Sequence, residues 1–154
     1  MRLLLAIDQF APSRAATDFA AGLAVESGAA VWVFHVREIP NAMQVAPLET
    51  VVESDDLVHA AVMLLHRAGV SAGGRSVSAR QKLVANRIAG EGVLLGSDAI
   101  VVGSQRLAGF RRLSGRGVRD HLLRLSSLPV LVAPPPLRMS ARGLRPFSGA
   151  RATR

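Results

Sequence analysis

The chain has 154 residues, 49% of them hydrophobic, with no cysteine and a formal net charge of +8. This length fits one domain or one domain with a tail, and the apolar content is sufficient for a folded core. The lack of cysteine excludes a disulfide framework, thiol catalysis and Cys-ligated metal sites, and no apolar run approaches the roughly 20 residues of a membrane span, so we expect a cytoplasmic protein without membrane contact.

The beginning of the chain predicts a strand, a helix and a second strand. Leu3–Ile7 is a short apolar run that ends at Asp8, which is typical of a strand covered on both faces. A helical pattern opens at Pro12, and Gly28 is expected to end it. Residues 31–36, with the sequence VWVFHV, are β-branched and aromatic and form the second predicted strand.

The middle of the chain is less regular. Residues 37–50 are interpreted as a loop because they contain two prolines and an asparagine. The next helix is predicted to begin with Ser54 as its cap and to stop at Gly69. Residues 70–78 are rich in glycine and serine and form a weak strand candidate.

The last third repeats the same alternation. The predicted elements are a helix over 83–95 weakened by Gly90 and Gly92, a strand over 99–103, a helix over 117–125 and a strand over 130–132. Alternating strands and helices predict an α/β fold with an open, parallel, five-stranded sheet and helices on both faces. In such sheets ligands bind beyond the carboxyl ends of the strands.

The positive charge is concentrated near the end of the chain. Residues 1–103 contain eight basic and ten acidic side chains, whereas residues 104–133 contain six arginines and one acid. Residues 134–154 add five arginines and no acid. We therefore expect a domain over 1–133 followed by a basic, disordered tail over 134–154, because the tail has too few large apolar residues to offset its chain entropy.

Familiar catalytic and metal motifs are absent. The only lysine, Lys82, follows glutamine, so there is no P-loop, and no G-x-S-x-G elbow occurs. Gly90 and Gly92 belong to a glycine run inside a predicted helix, which is the wrong place for a dinucleotide fingerprint. His59 and His66 lack a third ligand nearby, and His35 is expected to be packed or bonded to backbone. We therefore expect no metal and no catalytic residue.

The stretch after the fourth predicted strand carries a family resemblance. Residues 101–124, VVGSQRLAGFRRLSGRGVRDHLLR, and residues 128–132, LPVLV, resemble the universal stress protein family. The opening LLAID at residues 4–8 and the FHV at residues 34–36 match as well. The resemblance covers about residues 2–133 and is loose over 37–95.

The resemblance implies a sheet in the order 3-2-1-4-5, a role in the stress response and, in many members, binding of ATP with Mg²⁺. Those members have a G-x2-G-x9-G-S/T motif after the fourth strand, where backbone amides approach the phosphates. Asp8 would lie by the nucleotide and the backbone of Val36 would face the adenine. The implied ligand-binding residues are Ala6, Asp8, Val36, Gly103, Gln105, Arg106, Arg116, Gly117 and Val118.

This chain departs from that glycine motif. Gly103 matches the first glycine, but the second falls on Arg106, the third on Arg116, and the following Ser/Thr on Gly117. A side chain at a glycine position hinders the phosphate, yet arginine is also a strong bidentate phosphate partner. Two interpretations stay open: a module that binds ATP or another phosphate ligand, and a family member that binds no nucleotide and acts as a dimeric interaction module.

The remaining predictions concern partners. Arg111, Arg112, Arg119 and Arg124 are interpreted as a solvated face, and without interleaved aromatic residues we expect no specific nucleic-acid binding. Family members commonly pair through the last strand, so we expect a homodimer through Val130, Leu131 and Val132. A slow ATPase is the least favoured alternative because no residue is an evident base for water.

Overall fold

The computed structural model of the chain describes residues 1–9, 12–39, 49–104 and 117–135. Strands and helices alternate along these residues. Their bounds are β1 (Arg2–Ile7), α1 (Pro12–Ser27), β2 (Ala30–Ile39), α2 (Val51–Arg67), β3 (Ala72–Arg80), α3 (Val84–Leu94), β4 (Ala99–Val102), α4 (Val118–Leu125) and β5 (Val130–Val132), with a 3₁₀ turn at Gln81–Leu83 before α3.

The five strands form one parallel sheet in the order β3-β2-β1-β4-β5, which confirms the order expected from the family resemblance. Consecutive strands run outward from β1 to β3, and the chain then crosses to the other side of β1 to form β4 and β5. The order of the strands therefore reverses between β1 and β4, which is the place where open α/β sheets bind ligands.

Each face of the sheet is covered by two helices, as the alternation predicted. One core lies under α1 and α2 and includes Leu3, Leu5 and Leu65. The other lies under α3 and α4 and includes Leu4, Phe34 and Ile100. Neighbouring leucines of β1 point to opposite cores because side chains alternate along a strand, so the continuous apolar run is the pattern expected of a strand buried on both faces.

The largest differences from the sequence predictions concern three elements, β2, β3 and α2. β2 continues to Ile39, so the first three residues of the predicted 37–50 loop are strand, paired with β3. β3 begins and ends two residues later than predicted. The cap of α2 is Thr50, not Ser54: the Thr50 side chain accepts from the Glu53 amide, and the Glu53 side chain accepts from the Thr50 amide. This reciprocal capping box satisfies two groups at once, while Ser54 is buried one turn later.

The helix stops predicted at glycines are confirmed. Gly28 and Gly69 have φ of +65° and +78°, the left-handed conformation that ends a helix and that other residues adopt at a cost. Within the described ranges, no helix is long and apolar enough to cross a membrane.

A buried carboxylate joins α3 to the middle of the sheet. Glu91 accepts hydrogen bonds from Trp32 Nε1 at 3.1 Å and from Arg75 Nε and Nη2 at 2.9 and 2.5 Å. The Glu91 side chain is 4% exposed, whereas that of Arg75 is 50% exposed and lies over the ring of Phe34. These hydrogen bonds raise the pKa of Arg75 above its usual value. The cluster gives a buried charge its full set of partners on two neighbouring strands.

Candidate functional site

The register of the sheet brings three of the predicted site residues to one edge. Ile7 pairs with His35, so the next residues, Asp8 and Val36, lie side by side at the carboxyl end of β1. Leu5 pairs with Val101, which places Gly103 level with Ile7 on the other side. Asp8, Val36 and Gly103 therefore lie at the carboxyl edge around the reversal of strand order, although β2 itself extends past Val36.

Asp8 is held against the start of α1. Its amide donates to Ser13 Oγ, and that hydroxyl donates to Asp8 Oδ1, both at 2.7 Å. The carbonyl of Ser13 in turn accepts from Thr17 Oγ1 at 2.8 Å. Two hydrogen bonds between the same two residues fix the direction of the carboxylate, so Asp8 is a positioned acceptor at this edge.

The buried side chains of His35 and Glu49 form a pair at the same edge of the sheet. His35 Nδ1 lies 2.9 Å from the carbonyl oxygen of Ile7, and Nε2 lies 2.8 Å from Glu49 Oε2. The contact with backbone confirms the interpretation of His35. Glu49 was missed because the predicted loop gave no signal that its carboxylate would be buried. The pair links the residue before Asp8 to the segment that enters α2, which also receives a hydrogen bond from Arg37.

The end of β4 contacts the first turn of α4. Arg119 donates from Nη1 to the carbonyl of Ser104 at 2.6 Å, and its Nη2 lies 3.0 Å from Asp120 Oδ1. The Arg119 side chain is only 25% exposed, so its assignment to a solvated face was wrong. The sequence alone carried no signal for this contact, because it depends on how α4 returns to the strand end.

Two kinds of polar group near this contact lack a side-chain hydrogen-bond partner in the described part of the chain. Gly117 precedes α4 with extended backbone, and no side chain of the described residues caps the helix or accepts from its first amides. The buried hydroxyl of Ser104 has no hydrogen-bond partner among the residues described. A buried polar group without a partner is costly, and a ligand is one way to satisfy it.

The other predicted site residues fall in two groups. Ala6 and Val118 pack partly buried on the α3 and α4 face beside Val36, and Gly117 is the cap position of α4. Gln105, Arg106 and Arg116 lie outside the described residues, as do Arg111, Arg112 and nearly all of the predicted tail.

Metal and dinucleotide motifs find no support in the described ranges. Those residues contain no group of three or more His, Asp or Glu side chains able to hold a metal ion. His66 lies 2.8 Å through Nε2 from the carbonyl oxygen of Ala72, and His59 is exposed on the same helix. Gly90 and Gly92 are inside α3, as predicted, and do not form a strand-to-helix turn.

Comparison with known proteins identifies the family. The sequence model of the universal stress protein family matches residues 1–134. A universal stress protein family member from Burkholderia pseudomallei is 25% identical, with a TM-score of 0.70 over 87% of this chain and 96% of that one. No curated protein matches the sequence.

Two further structures with the same fold contain nucleotides. The universal stress protein from Archaeoglobus fulgidus in complex with dAMP is 20% identical, with a TM-score of 0.64 over 86% of this chain and 96% of that one. A family protein from Arabidopsis thaliana with AMP bound is 17% identical, with a TM-score of 0.62 over 86% and 90% of the two chains.

Proposed function

The chain belongs to the universal stress protein family, and on this premise we propose that it is a cytoplasmic binding and regulatory module that takes an adenine nucleotide or another phosphate-bearing ligand. The ligand would lie at the carboxyl edge of the sheet between β1 and β4. No catalytic step is part of the proposal, because the described residues offer positioned acceptors and donors but no evident nucleophile or base.

The observation that carries the proposal is the buried hydroxyl of Ser104, which has no hydrogen-bond partner among the described residues. Ser104 follows β4, and its carbonyl accepts from Arg119 in the first turn of α4, where no side chain among the described residues caps the helix. Helix amides and a neighbouring hydroxyl are donors that suit phosphate oxygens. Asp8 supplies a fixed acceptor across the reversal point, which suits a hydroxyl or amine of the same ligand.

The charge at this site is more balanced than the arginine count suggests. Arg119 is paired with Asp120 in the first turn of α4. An acid in that turn already interacts with the positive end of the helix. We therefore expect binding to depend on directed hydrogen bonds more than on net positive charge, and affinity to fall only weakly with added salt.

Isothermal titration with ATP and with AMP, each with and without Mg²⁺, tests the proposal. We expect saturable binding below millimolar concentration, and about tenfold weaker binding in Asp8→Asn, since a charge-assisted acceptor becomes neutral. Asp18→Asn is the matched control because Asp18 is exposed on α1. The absence of both heat and a thermal shift at millimolar nucleotide would remove the proposal.

The same protein preparation addresses ATP hydrolysis. We expect no phosphate release above background. Release that persists unchanged in Asp8→Ala protein would indicate a contaminating ATPase, whereas release lost in that variant would argue for a slow activity of the site itself.

The second candidate is a nucleotide-free dimeric interaction module, favoured by the outer edge of β5, with which no strand of the described residues pairs. Pro129 and Ala133 bond through backbone to Ile100 and Val102 of β4. In a parallel ladder the alternate residues, Val130 and Val132, then present their amides to the open side. Val132 is also 38% exposed. This edge is the one through which we propose that two copies pair.

Sedimentation analysis tests the dimer. Val132→Lys should convert a dimer to a monomer, because a charge at the edge opposes strand pairing. Val25→Lys, at an exposed position of α1, is the control.

Nucleotide titration tests the second part of this candidate. If the wild type binds no nucleotide, the double change Arg106→Gly and Arg116→Gly should create binding. Wild-type binding that this double change abolishes would contradict the nucleotide-free candidate.

A further inference from the structure

A cavity of about 380 Å³ opens at the amino edge of the sheet, opposite the edge proposed to bind nucleotide. It is formed by the first residues of β1, β2 and β3 and by the residue that follows α3. The side chains and backbone that matter here are those of Arg2, Ala30, Trp32, Gly73 and Leu95. Its volume lies within the roughly 300–1,000 Å³ of small-molecule sites, but it is open to solvent and does not enclose a ligand completely.

Trp32 supplies a fixed aromatic surface to this cavity. Its indole N–H donates to the buried carboxylate of Glu91, which sets the orientation of the ring. Gly73 is its partner in the register of β3, and a Cβ at Gly73 would lie 3.0 Å from ring atom Cζ3. The ring therefore packs directly against the backbone of Gly73, and Trp32 also lines the cavity. A half-buried aromatic face next to open space is suited to stacking with another ring.

Arg2 supplies a cation at the mouth of the same cavity. Its Nη1 donates to the carbonyl of Leu95, which anchors the side chain. Unlike Arg75 and Arg119, Arg2 forms no ion pair with a carboxylate in the part of the chain that the structure describes. A guanidinium has five N–H donors, so an anchored Arg2 keeps donors for an anionic group.

We propose that this cavity binds a small planar aromatic anion, with its ring against Trp32 and its acidic group on Arg2. The site is separate from the carboxyl edge and does not depend on the nucleotide proposal. The remaining wall is mostly apolar, from Ala30 and Leu95, with Ser71 as a polar member, so the ligand class is a compact ring system that carries one acidic group.

Fluorescence provides a direct test, because the chain has one tryptophan and no tyrosine, so ultraviolet emission reports on Trp32. Titration with naphthalene-1-sulfonate should quench this emission saturably with one site per chain. The neutral analogue 1-naphthalenemethanol should bind at least fivefold more weakly. Arg2→Gln should remove that difference between the two probes, and Ala30→Leu, which places a larger side chain in the cavity, should abolish saturable quenching.

Controls distinguish binding at this site from nonspecific binding of the probes. Arg14→Gln removes a charge from an exposed position of α1 and should leave both titrations unchanged. Variants are compared only after far-ultraviolet circular dichroism matches the wild type. Non-saturable quenching, or sulfonate affinity unchanged in Arg2→Gln, would overturn the proposal.

Competition with ATP distinguishes the two sites. We expect excess ATP to leave the quenching by naphthalene-1-sulfonate unchanged. Displacement by ATP would support an aromatic-anion site beside Trp32 and would contradict the carboxyl-edge assignment. Quenching without any ATP binding would support this cavity while the nucleotide proposal fails.

Discussion

The carboxylate of Glu91 and the hydroxyl of Ser104 are both buried, but their surroundings differ. Glu91 accepts three hydrogen bonds from Trp32 and Arg75, so its partners all come from the same chain. Ser104 Oγ has no partner among the described residues. A buried polar group whose partners are complete contributes to one fixed structure, while an incomplete one is available to a ligand.

Ser97 is a second buried serine and serves as a control for Ser104. Its hydroxyl is also buried without a partner in the described ranges, but it precedes β4 at the amino edge. Ser104 differs in following β4, at the same level along the sheet as Asp8, and in contacting the start of α4, which no described side chain caps. Position at the strand reversal, together with the missing partner, therefore distinguishes the candidate ligand group.

The largest expected effect comes from removing the complete cluster. Glu91→Ala leaves the Trp32 N–H without its acceptor and Arg75 without its counter-ion, and should lower the free energy of unfolding by about 3 kcal/mol. Urea unfolding measures it. Glu26→Ala, at an exposed position of α1, should change stability by no more than about 0.5 kcal/mol. Equal effects of the two changes would contradict a structural role for Glu91.

Removal of the Ser104 hydroxyl should affect ligand binding and leave stability nearly unchanged. Ser104→Ala should leave stability within about 0.5 kcal/mol of wild type, because no hydrogen bond of the described protein is lost, and should weaken ATP binding about fivefold. Titration calorimetry and urea unfolding measure the two quantities. Ser97→Ala should be neutral in both. Loss of ATP affinity in Ser97→Ala but not in Ser104→Ala would reverse the assignment.

A pair of glycines on α3 separates helix propensity from the contacts of that helix. Gly90 is exposed, and an added Cβ meets nothing within 4 Å, so Gly90→Ala should raise stability by about 0.5–1 kcal/mol. Gly92 faces the core, and a Cβ there would lie 2.9 Å from Leu128 Cδ1. Gly92→Ala should therefore be less stable than Gly90→Ala, because the Leu128 and Ile100 side chains must move to admit the Cβ. Thermal unfolding that ranks the two variants the other way would contradict this packing.

The smallest effect concerns an exposed carboxylate, in contrast to Glu91. Hydrogen bonds from the backbone and then the side chain of Thr50 lower the pKa of Glu53 below its usual 4.5. The ionised form therefore stabilises the folded state above pH 4.5, and this contribution disappears as the pH falls through the lowered value. The melting temperature of the wild type should be higher than that of Glu53→Gln at pH 7, and the two values should converge at pH 3. An equal difference at both pH values would contradict this linkage.

Much of the fold followed from local patterns. The apolar run Leu3–Ile7 and the glycines at 28 and 69 indicated a strand and two helix ends that the structure confirms. The end of β2 was underestimated because the prolines and the asparagine of residues 40–47 made the whole of residues 37–50 look like a loop. Arg37, Glu38 and Ile39 are strand because each pairs with a residue of β3, and that pairing is a long-range interaction.

The candidate site was predictable only in part for the same reason. The motif resemblance pointed to Asp8, Val36 and Gly103, which the register brings to one edge. It pointed to neither Glu49 nor Arg119. Both side chains are polar and lie in segments whose local sequence predicts exposure, but contacts with distant residues bury Glu49 and leave Arg119 only partly exposed.

Alternation of apolar strands and helices, together with the family motifs, is enough to establish a parallel α/β sheet and to direct attention to its carboxyl edge, because periodicity and turn chemistry are local properties. Which side chains contact one another is not determined by local sequence. That Arg75 neutralises Glu91, that Arg119 lies on Ser104, and that Trp32 borders a cavity with Arg2 all depend on strand register and helix placement, which bring together residues far apart in the chain.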